Sequence, residues 1–250
     1  MAGKLDGKTA LVTGGSSGIG LATAKQFIIE GAFVYITGRR QAELDSAAAV
    51  LGDHAKAVRA DASNLSDLDS LYSQIKQEKG QLDVLFVNAG GGSFASIGQI
   101  TEEQFDQTFN TNVKGLLFTV QKALPLIPEG GAIVLNGSMV SVKGDPNFSV
   151  YSATKAAVRS FARGWTNDLK DRKIRVNVVS PGPIDTPGLR GLAANEEQRK
   201  ALYAHLASGV PLGRVGEPEE IAKAAVFLAS ADASYIAGVE LFVDGGAVAV

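Results

Sequence analysis

The sequence predicts an α/β fold: a doubly wound parallel sheet of about seven strands with helices on both faces. Three observations predict it. Seven short β-branched runs alternate with longer stretches whose apolar residues recur at helical spacing. The strand candidates are apolar without clean alternation, as in parallel strands covered on both faces. A glycine-rich turn, Thr13-Gly-Gly-Ser-Ser-Gly-Ile-Gly20, joins the first strand to the first helix. Strand–helix alternation of this kind implies right-handed crossovers around one sheet.

Taken in order, strand one is expected at 9–13, after a short polar lead, and the glycine turn passes into a helix over 19–31. Strand two falls at 33–37 with a helix at 42–51, and strand three at 55–60 with a helix at 65–79. Strand four, 84–87, precedes a long helix over 102–126, and strand five, 132–136, precedes a helix over 152–171. Strand six spans 175–180, and the last strand, 240–243, follows a helix at 218–230. The stretch 182–216 is rich in Gly and Pro, with one short helix expected near 196–207. Loops this long inside a compact domain are usually lids or binding loops. No repeat, low-complexity tract or linker interrupts the pattern, so residues 1–250 are read as one domain with a lid at about 186–212.

Composition narrows the function classes. The 250 residues are 45% hydrophobic and 20% charged, as expected of a soluble globular protein. Lys plus Arg at 24 against Asp plus Glu at 26 gives a net charge of −2, which argues against nucleic acid or an anionic membrane as partner. There is no cysteine, which excludes disulfides, thiolate–zinc sites and cysteine nucleophiles. His54 and His205 are the only histidines, so no metal site is expected and a metal-dependent alcohol dehydrogenase is set aside. No apolar run reaches the ~18 residues of a membrane span, and no signal-peptide pattern is recognised. The expected compartment is the cytoplasm.

The glycine turn points to a dinucleotide. Glycines at a strand–helix junction let the backbone approach a pyrophosphate, and the helix N-terminus supplies unpaired N–H groups and positive potential. The candidates are Gly14, Ser16, Ser17, Gly18, Ile19 and Gly20, spaced G-x3-G-x-G. No Lys-Ser/Thr pair follows Gly20, so a P-loop is ruled out. An NAD-binding domain usually ends strand two with an acid for the ribose 2′-hydroxyl. Here the chain reads Tyr35-Ile-Thr-Gly-Arg39-Arg40. A guanidinium there can take the 2′-phosphate of NADP in a charge-assisted pair. Arg39 is the first candidate, flanked by Thr37 and Arg40.

The catalytic candidates are Ser138 at the end of strand five and the pair in Tyr151-Ser-Ala-Thr-Lys155. Tyr and Lys at i and i+4 share one helix face. A phenol with pKa about 10 is a poor base at neutral pH, and a nearby ammonium favours the phenolate. Ser138 would hydrogen-bond the substrate oxygen as charge develops.

With these motifs the chain resembles the short-chain dehydrogenase/reductase family, of the ~250-residue Rossmann-type kind, over essentially its whole length. The family's glycine motif matches Thr13 through Gly20. Its motif after strand four matches Asn88-Ala89-Gly90, preceded by Val87 where the family more often has Asn. Its adenine-contacting acid matches Asp61, next to Ala62, although Asp61 would also serve as N-cap of the helix near Leu65. Its helix asparagine matches Asn112, and its Pro-Gly motif matches Pro181-Gly182-Pro-Ile184-Asp-Thr186. The resemblance implies a single dinucleotide-binding and catalytic domain. It makes Tyr151 general acid in reduction and base in oxidation, with Lys155 lowering its pKa and holding the nicotinamide ribose. Ser138 would orient the carbonyl, Asn112 would position a water linking Lys155 to solvent, and Ile184 and Thr186 would place the carboxamide. NADP(H) is the expected cofactor.

The expected substrate pocket is lined by Met139, Val140, Phe148, Leu189, Tyr203 and Leu206, mostly apolar, which suits a hydrophobic or bulky ketone or secondary alcohol. Segments such as Pro211-Leu-Gly-Arg-Val-Gly216 resemble the family's NADP-dependent secondary alcohol dehydrogenases and ketoreductases. A 3-oxoacyl-acyl-carrier-protein reductase is the nearest alternative, and a non-catalytic NADP-binding regulator is the alternative from another class. The resemblance also implies a homotetramer, with the helices over 102–126 and 152–171 at one interface. The last strand and the apolar tail 247–250 would form another.

Overall fold

The computed structural model describes residues 3–248. Residues 249–250, half of the apolar tail expected at a subunit interface, lie outside the described residues. Seven strands form one sheet: β1 Thr9–Val12, β2 Phe33–Gly38, β3 Ala55–Arg59, β4 Val84–Val87, β5 Ala132–Asn136, β6 Arg175–Pro181 and β7 Glu240–Val243. Their order is β3-β2-β1-β4-β5-β6-β7 and every pairing is parallel. In register, Leu11 of β1 sits beside Tyr35 of β2 on one edge and Leu85 of β4 on the other. The chain therefore reverses its winding between β1 and β4. In open α/β sheets the crevice at such a reversal, beyond the carboxyl ends of the strands, is where ligands bind.

The helices are α1 Gly18–Ile29, α2 Gln41–Leu51, α3 Leu65–Lys79, α4 Glu102–Phe109, α5 Leu116–Ala123, α6 Ser149–Asp168, α7 Pro187–Arg190, α8 Glu196–Ser208 and α9 Pro218–Ala229. Successive strand residues point to opposite faces, and the core divides accordingly. Leu11, Tyr35, Leu85 and Ile133 pack with α3, α5 and α6. Val12, Ile36, Phe86 and Val134 pack on the other face with α1, α2 and α9. Both faces being covered explains why the strands read as apolar runs rather than alternating ones.

Three expectations change. The helix expected over 102–126 is broken by a π-turn at Asn110–Gly115, which separates α4 from α5. The wider turn lets Asn112, only 2% exposed, face the loop after β4. It also brings Gly115 against Ala62, where a Cβ would stand 2.8 Å from the Ala62 carbonyl oxygen. Such bulges are frequent at functional sites. The 182–216 stretch holds two helices rather than one, because Thr186 caps the start of α7 by accepting from Leu189 N at 3.2 Å. Helix α6 also begins three residues earlier than expected, which places Tyr151 in its first turn.

Candidate active site

A cleft of about 770 Å³ opens beyond the carboxyl ends of the central strands. One wall is the glycine turn. Gly14 (φ 63°) and Gly18 (φ 51°) hold left-handed backbone, where a side chain is strained. A Cβ on Gly14 would come within 3.0 Å of Ala89 Cα. Ser17 caps α1 without a side-chain hydrogen bond, and no acid occupies the first turn. The leading N–H groups and the positive end of the helix are thus left for an anion. A bare, positively polarised cradle next to the sheet reversal fits a dinucleotide pyrophosphate.

Asn88 fixes this wall. Its Nδ2 donates to the Thr13 and Gly14 carbonyls at 3.0 and 3.1 Å, and its own N–H and that of Ala89 both donate to Thr13 Oγ1 at 3.0 Å. Beyond β2, Thr37 is buried while Arg39 and Arg40 are exposed at the rim. Arg40 is drawn into an ion pair with Glu43, whereas the backbone oxygen of Arg39 accepts from Arg59 Nε at 3.3 Å. Asp61 does not cap α3: Asn64 does, accepting from Ser66 N at 3.0 Å. Asp61 instead accepts through Oδ1 from Ser63 N and Ser63 Oγ at 2.9 and 2.7 Å, on the cleft wall beside Ala62.

Ser138, Tyr151 and Lys155 converge on the same cleft. Lys155 is 4% exposed and its ammonium donates to the Asn136 backbone oxygen at 2.7 Å. Burial lowers its pKa to about 8. Burial pushes the Tyr151 phenol up to about 12, and a hydrogen bond from Ser138 opposes this in part. The Lys155 nitrogen lies 5.4 Å from the Tyr151 ring centroid. Gly92 gives the ring room, since a Cβ there would be 2.6 Å from Tyr151 Cδ2. Phe148 stacks on Tyr151 at 4.4 Å, and Phe94 stacks on Phe148 at 4.3 Å.

A family model described as "Enoyl-(Acyl carrier protein) reductase" matches residues 14–248. The chain belongs to the short-chain dehydrogenase/reductase family. It is 49% identical over 245 residues to an oxidoreductase of Sarocladium schorii, covering 97% of this chain and 96% of that one. It is 36% identical over 250 residues to a 3-oxoacyl-[acyl-carrier-protein] reductase of Thermotoga maritima, covering 98% and 99%. A solved short-chain dehydrogenase/reductase of Brucella melitensis, titled glucose/ribitol dehydrogenase, superposes with a TM-score of 0.92 at 31% identity, covering 99% of both chains. The protein is an oxidoreductase of this family, whose members use a nicotinamide dinucleotide. Among the described residues no cluster of His, Asp and Glu is placed to hold a metal ion, and no helix is long and apolar enough to cross a membrane.

In this short-chain dehydrogenase/reductase, most of the residues singled out from sequence reach the cleft. Gly14, Ser16, Ser17, Gly18, Ile19, Asn88, Ala89, Gly90, Pro181, Gly182, Ile184 and Thr186 line it, as do Met139, Val140, Phe148, Leu189 and Leu206. Three expected residues do not. Gly20 packs behind the turn, where a Cβ would meet Gly14 O at 2.1 Å. Asn112 spends its amide on Gly91 N, Gly91 O and Thr154 Oγ1 at 3.1, 2.8 and 3.0 Å. Tyr203 turns away from the substrate end and donates to Asp185 Oδ1 at 2.5 Å. Arg190 holds the same carboxylate with two bonds of 2.6 and 2.8 Å, which keeps Asp185 near 2.

Sequence reading passed over Asn136, whose Nδ2 donates to Asn88 Oδ1 at 2.9 Å and whose backbone oxygen receives Lys155. Its signal was an amide at the carboxyl end of an apolar strand, two residues before Ser138. Phe94 and Gly92 were passed over as well. Their only signal was the run of glycines after Asn88, which has no periodicity to read.

Proposed function

We propose that the chain is an NADP(H)-dependent ketoreductase that interconverts a ketone and a secondary alcohol, with apolar and bulky substrates preferred. The observation that carries it is Ser138, Tyr151 and Lys155 gathered on one cleft with the glycine turn. When bound, the nicotinamide supplies or accepts the hydride. Gly14, Ser16, Ser17, Gly18 and Ile19 would hold the pyrophosphate, Arg39 the 2′-phosphate, and Asp61 and Ala62 the adenine. Asn88, Ala89 and Gly90 would flank the ribose that Lys155 holds, and Pro181, Gly182, Ile184 and Thr186 would hold the carboxamide end.

Ser138 orients the carbonyl oxygen and stabilises its developing charge. Tyr151, a phenol that is protonated at neutral pH and that burial keeps so, gives the proton to that oxygen in reduction. Lys155 returns positive potential to the phenolate left behind. Asn112 acts from behind, bracing the Gly91 loop against α6 through Thr154. The apolar lining from Met139, Val140, Phe148, Leu189 and Leu206 supports a hydrophobic substrate.

Loss of nicotinamide absorbance is followed with NADPH, and in parallel NADH, over small, aromatic, steroidal and β-ketoacyl ketones. Faster turnover of bulky ketones with NADPH supports the reading. NADPH binding without turnover anywhere on the panel rejects it. The Thermotoga maritima relative's name favours a second reading, reduction of a 3-oxoacyl group on an acyl carrier protein; preference for a carrier-bound β-ketoacyl substrate over its free thioester would select it.

The domain, assembly and compartment readings stand beside this one. One sheet with both faces covered supports a single domain with a lid at about 186–212. Stacked pairs Phe105–Phe109 on α4 and Phe161–Trp165 on α6 support a homotetramer interface on those helices, and a monomer by light scattering would reject it. A chain without cysteine is compatible with the cytoplasm.

A further inference from the structure

A buried carboxylate lies behind the reacting residues, on a strand that carries none of them. Glu240 opens β7, at the edge of the sheet. Its Oε1 accepts hydrogen bonds from Ser141 Oγ at 2.5 Å and from Ser180 Oγ at 2.7 Å. Its Oε2 stands 3.7 Å from Arg159 Nε, and its side chain is 9% exposed.

Two of these partners belong to elements that present a reacting group, and the third packs against the residue before one. Ser141 ends the 3-10 turn Met139–Ser141, and its N–H donates to the Ser138 carbonyl at 3.0 Å. Ser180 lies on β6 against Gly137, where a Cβ would be 2.2 Å from Ser180 Oγ, so the residue before Ser138 rests directly on that hydroxyl. Arg159 follows Lys155 by one helical turn of α6 and Tyr151 by two. One carboxylate thus ties the Ser138 turn to the helix of Tyr151 and Lys155 from behind. A buried carboxylate is costly without partners, and here two hydroxyls and a guanidinium satisfy it while spanning the two halves of the constellation.

We propose that Glu240 is a positioning residue that sets the spacing between the Ser138 hydroxyl and the Tyr151 phenol, acting through Ser141 and Ser180. It rests on the assignment of Ser138 and Tyr151 as the reacting pair. The glycine turn lies on the far side of β4 and makes none of these contacts, so the effect falls more on turnover than on the grip of the pyrophosphate wall. A misplacement of an ångström at a reacting group costs up to about 100-fold.

The test compares Ser141→Ala, Glu240→Ala, Glu240→Gln and the double variant Ser141→Ala/Glu240→Ala with the wild type, using NADPH and the best ketone of the panel. Ser141→Ala is expected to lower kcat about tenfold, with KM for NADPH within about twofold. Glu240→Ala lowers kcat at least as far. Glu240→Gln, whose amide oxygen still accepts from both hydroxyls, recovers to within about threefold of wild type. The double variant is no slower than Glu240→Ala alone, as expected of residues acting in one chain. Unchanged kcat in Ser141→Ala and Glu240→Ala overturns the proposal. So does a rise in KM for NADPH that matches the fall in kcat, or full additivity in the double variant. If Glu240→Ala does not fold, Ser141→Ala and Glu240→Gln carry the test.

A crystal structure of Ser141→Ala separates this proposal from the functional reading it rests on. A Ser138 turn shifted away from Tyr151, with the glycine turn unmoved, upholds the positioning role even if no ketone is turned over. A Ser138 turn left in place overturns it.

Discussion

Lys155 directs its ammonium to the backbone oxygen of Asn136, 2.7 Å away, and not to the Tyr151 hydroxyl. That bond anchors the amine to the end of β5, where the Asn136 side chain also reaches Asn88. The same strand end therefore touches the lysine, the cofactor wall and, two residues on, Ser138. In the free protein the phenol keeps its proton and the amine sits in a desolvated pocket. Reduction starts from this protonation state, whereas oxidation needs a phenolate.

The first prediction concerns direction and pH. With the Tyr151 pKa near 12 before ligand binds, the phenolate is scarce at neutral pH, and its fraction rises about tenfold per pH unit below the pKa. Oxidation of a secondary alcohol should therefore accelerate with pH between 6 and 10, while reduction, whose phenol stays protonated throughout that range, changes little. Tyr151→Phe should remove turnover in both directions and leave NADPH binding intact. Initial-rate profiles in both directions check this; an oxidation rate flat over that range rejects Tyr151 as the base.

The second concerns stability. The folded pKa of Lys155, about 8, lies below its ordinary value of 10.5, so between those values the unfolded chain holds the extra proton. Stability linked to this residue therefore rises with pH through that window and is lowest below pH 8, where both states are charged. The rise is at most about 3 kcal/mol. Lys155→Met should abolish it. Urea midpoints of wild type and variant at pH 7.5 and 9.5 give the difference, and parallel pH dependences would show that the amine is not held desolvated.

The third concerns cofactor choice. Arg40 is engaged by Glu43, which leaves Arg39 as the guanidinium on the cleft rim best placed for a phosphate. Arg39→Asp should turn a charge-assisted contact into repulsion and shift the NADPH:NADH ratio of kcat/KM by on the order of 100-fold, about 2.7 kcal/mol. Arg40→Ala should shift it far less. An unchanged ratio in Arg39→Asp would remove the basis for NADP preference.

How far the sequence could be read follows from what kind of interaction sets each feature. The strands and the helices facing the sheet are set by apolar periodicity, and β4 and α3 fall where the pattern puts them. The π-turn at Asn110–Gly115 carries Asn112, whose partners are the Gly91 backbone and the Thr154 hydroxyl on two other elements, which no local window contains. Gly20 was legible as essential but not for the reason it is: it serves the packing of α1 on Gly14, not the cleft surface. Phe94 and Asn136 reach the site because loops after different strands converge there, and only the fold brings them together. Tyr203 was drawn to the pocket by its place in the lid, but Asp185 captures its hydroxyl.

That capture supplies the last prediction. Asp185 lies on the loop after β6, Arg190 on α7 and Tyr203 on α8, so one carboxylate joins the base of the lid to both its helices. The Arg190 pair is half exposed and adds little by itself. The tyrosine hydroxyl is partly buried and ties α8, which carries the cleft residue Leu206. Tyr203→Phe removes that single bond and keeps the ring, at a cost of about 1 kcal/mol. The lid should open more often, with KM for the ketone raised about two- to fivefold and KM for NADPH little changed. Proteolysis within 186–212 should quicken while the global melting temperature falls by less than about 4 °C. Asp185→Asn, which weakens both ties, should exceed it on the same readouts. If ketone KM and lid cleavage match wild type in both variants, the carboxylate does not hold the lid.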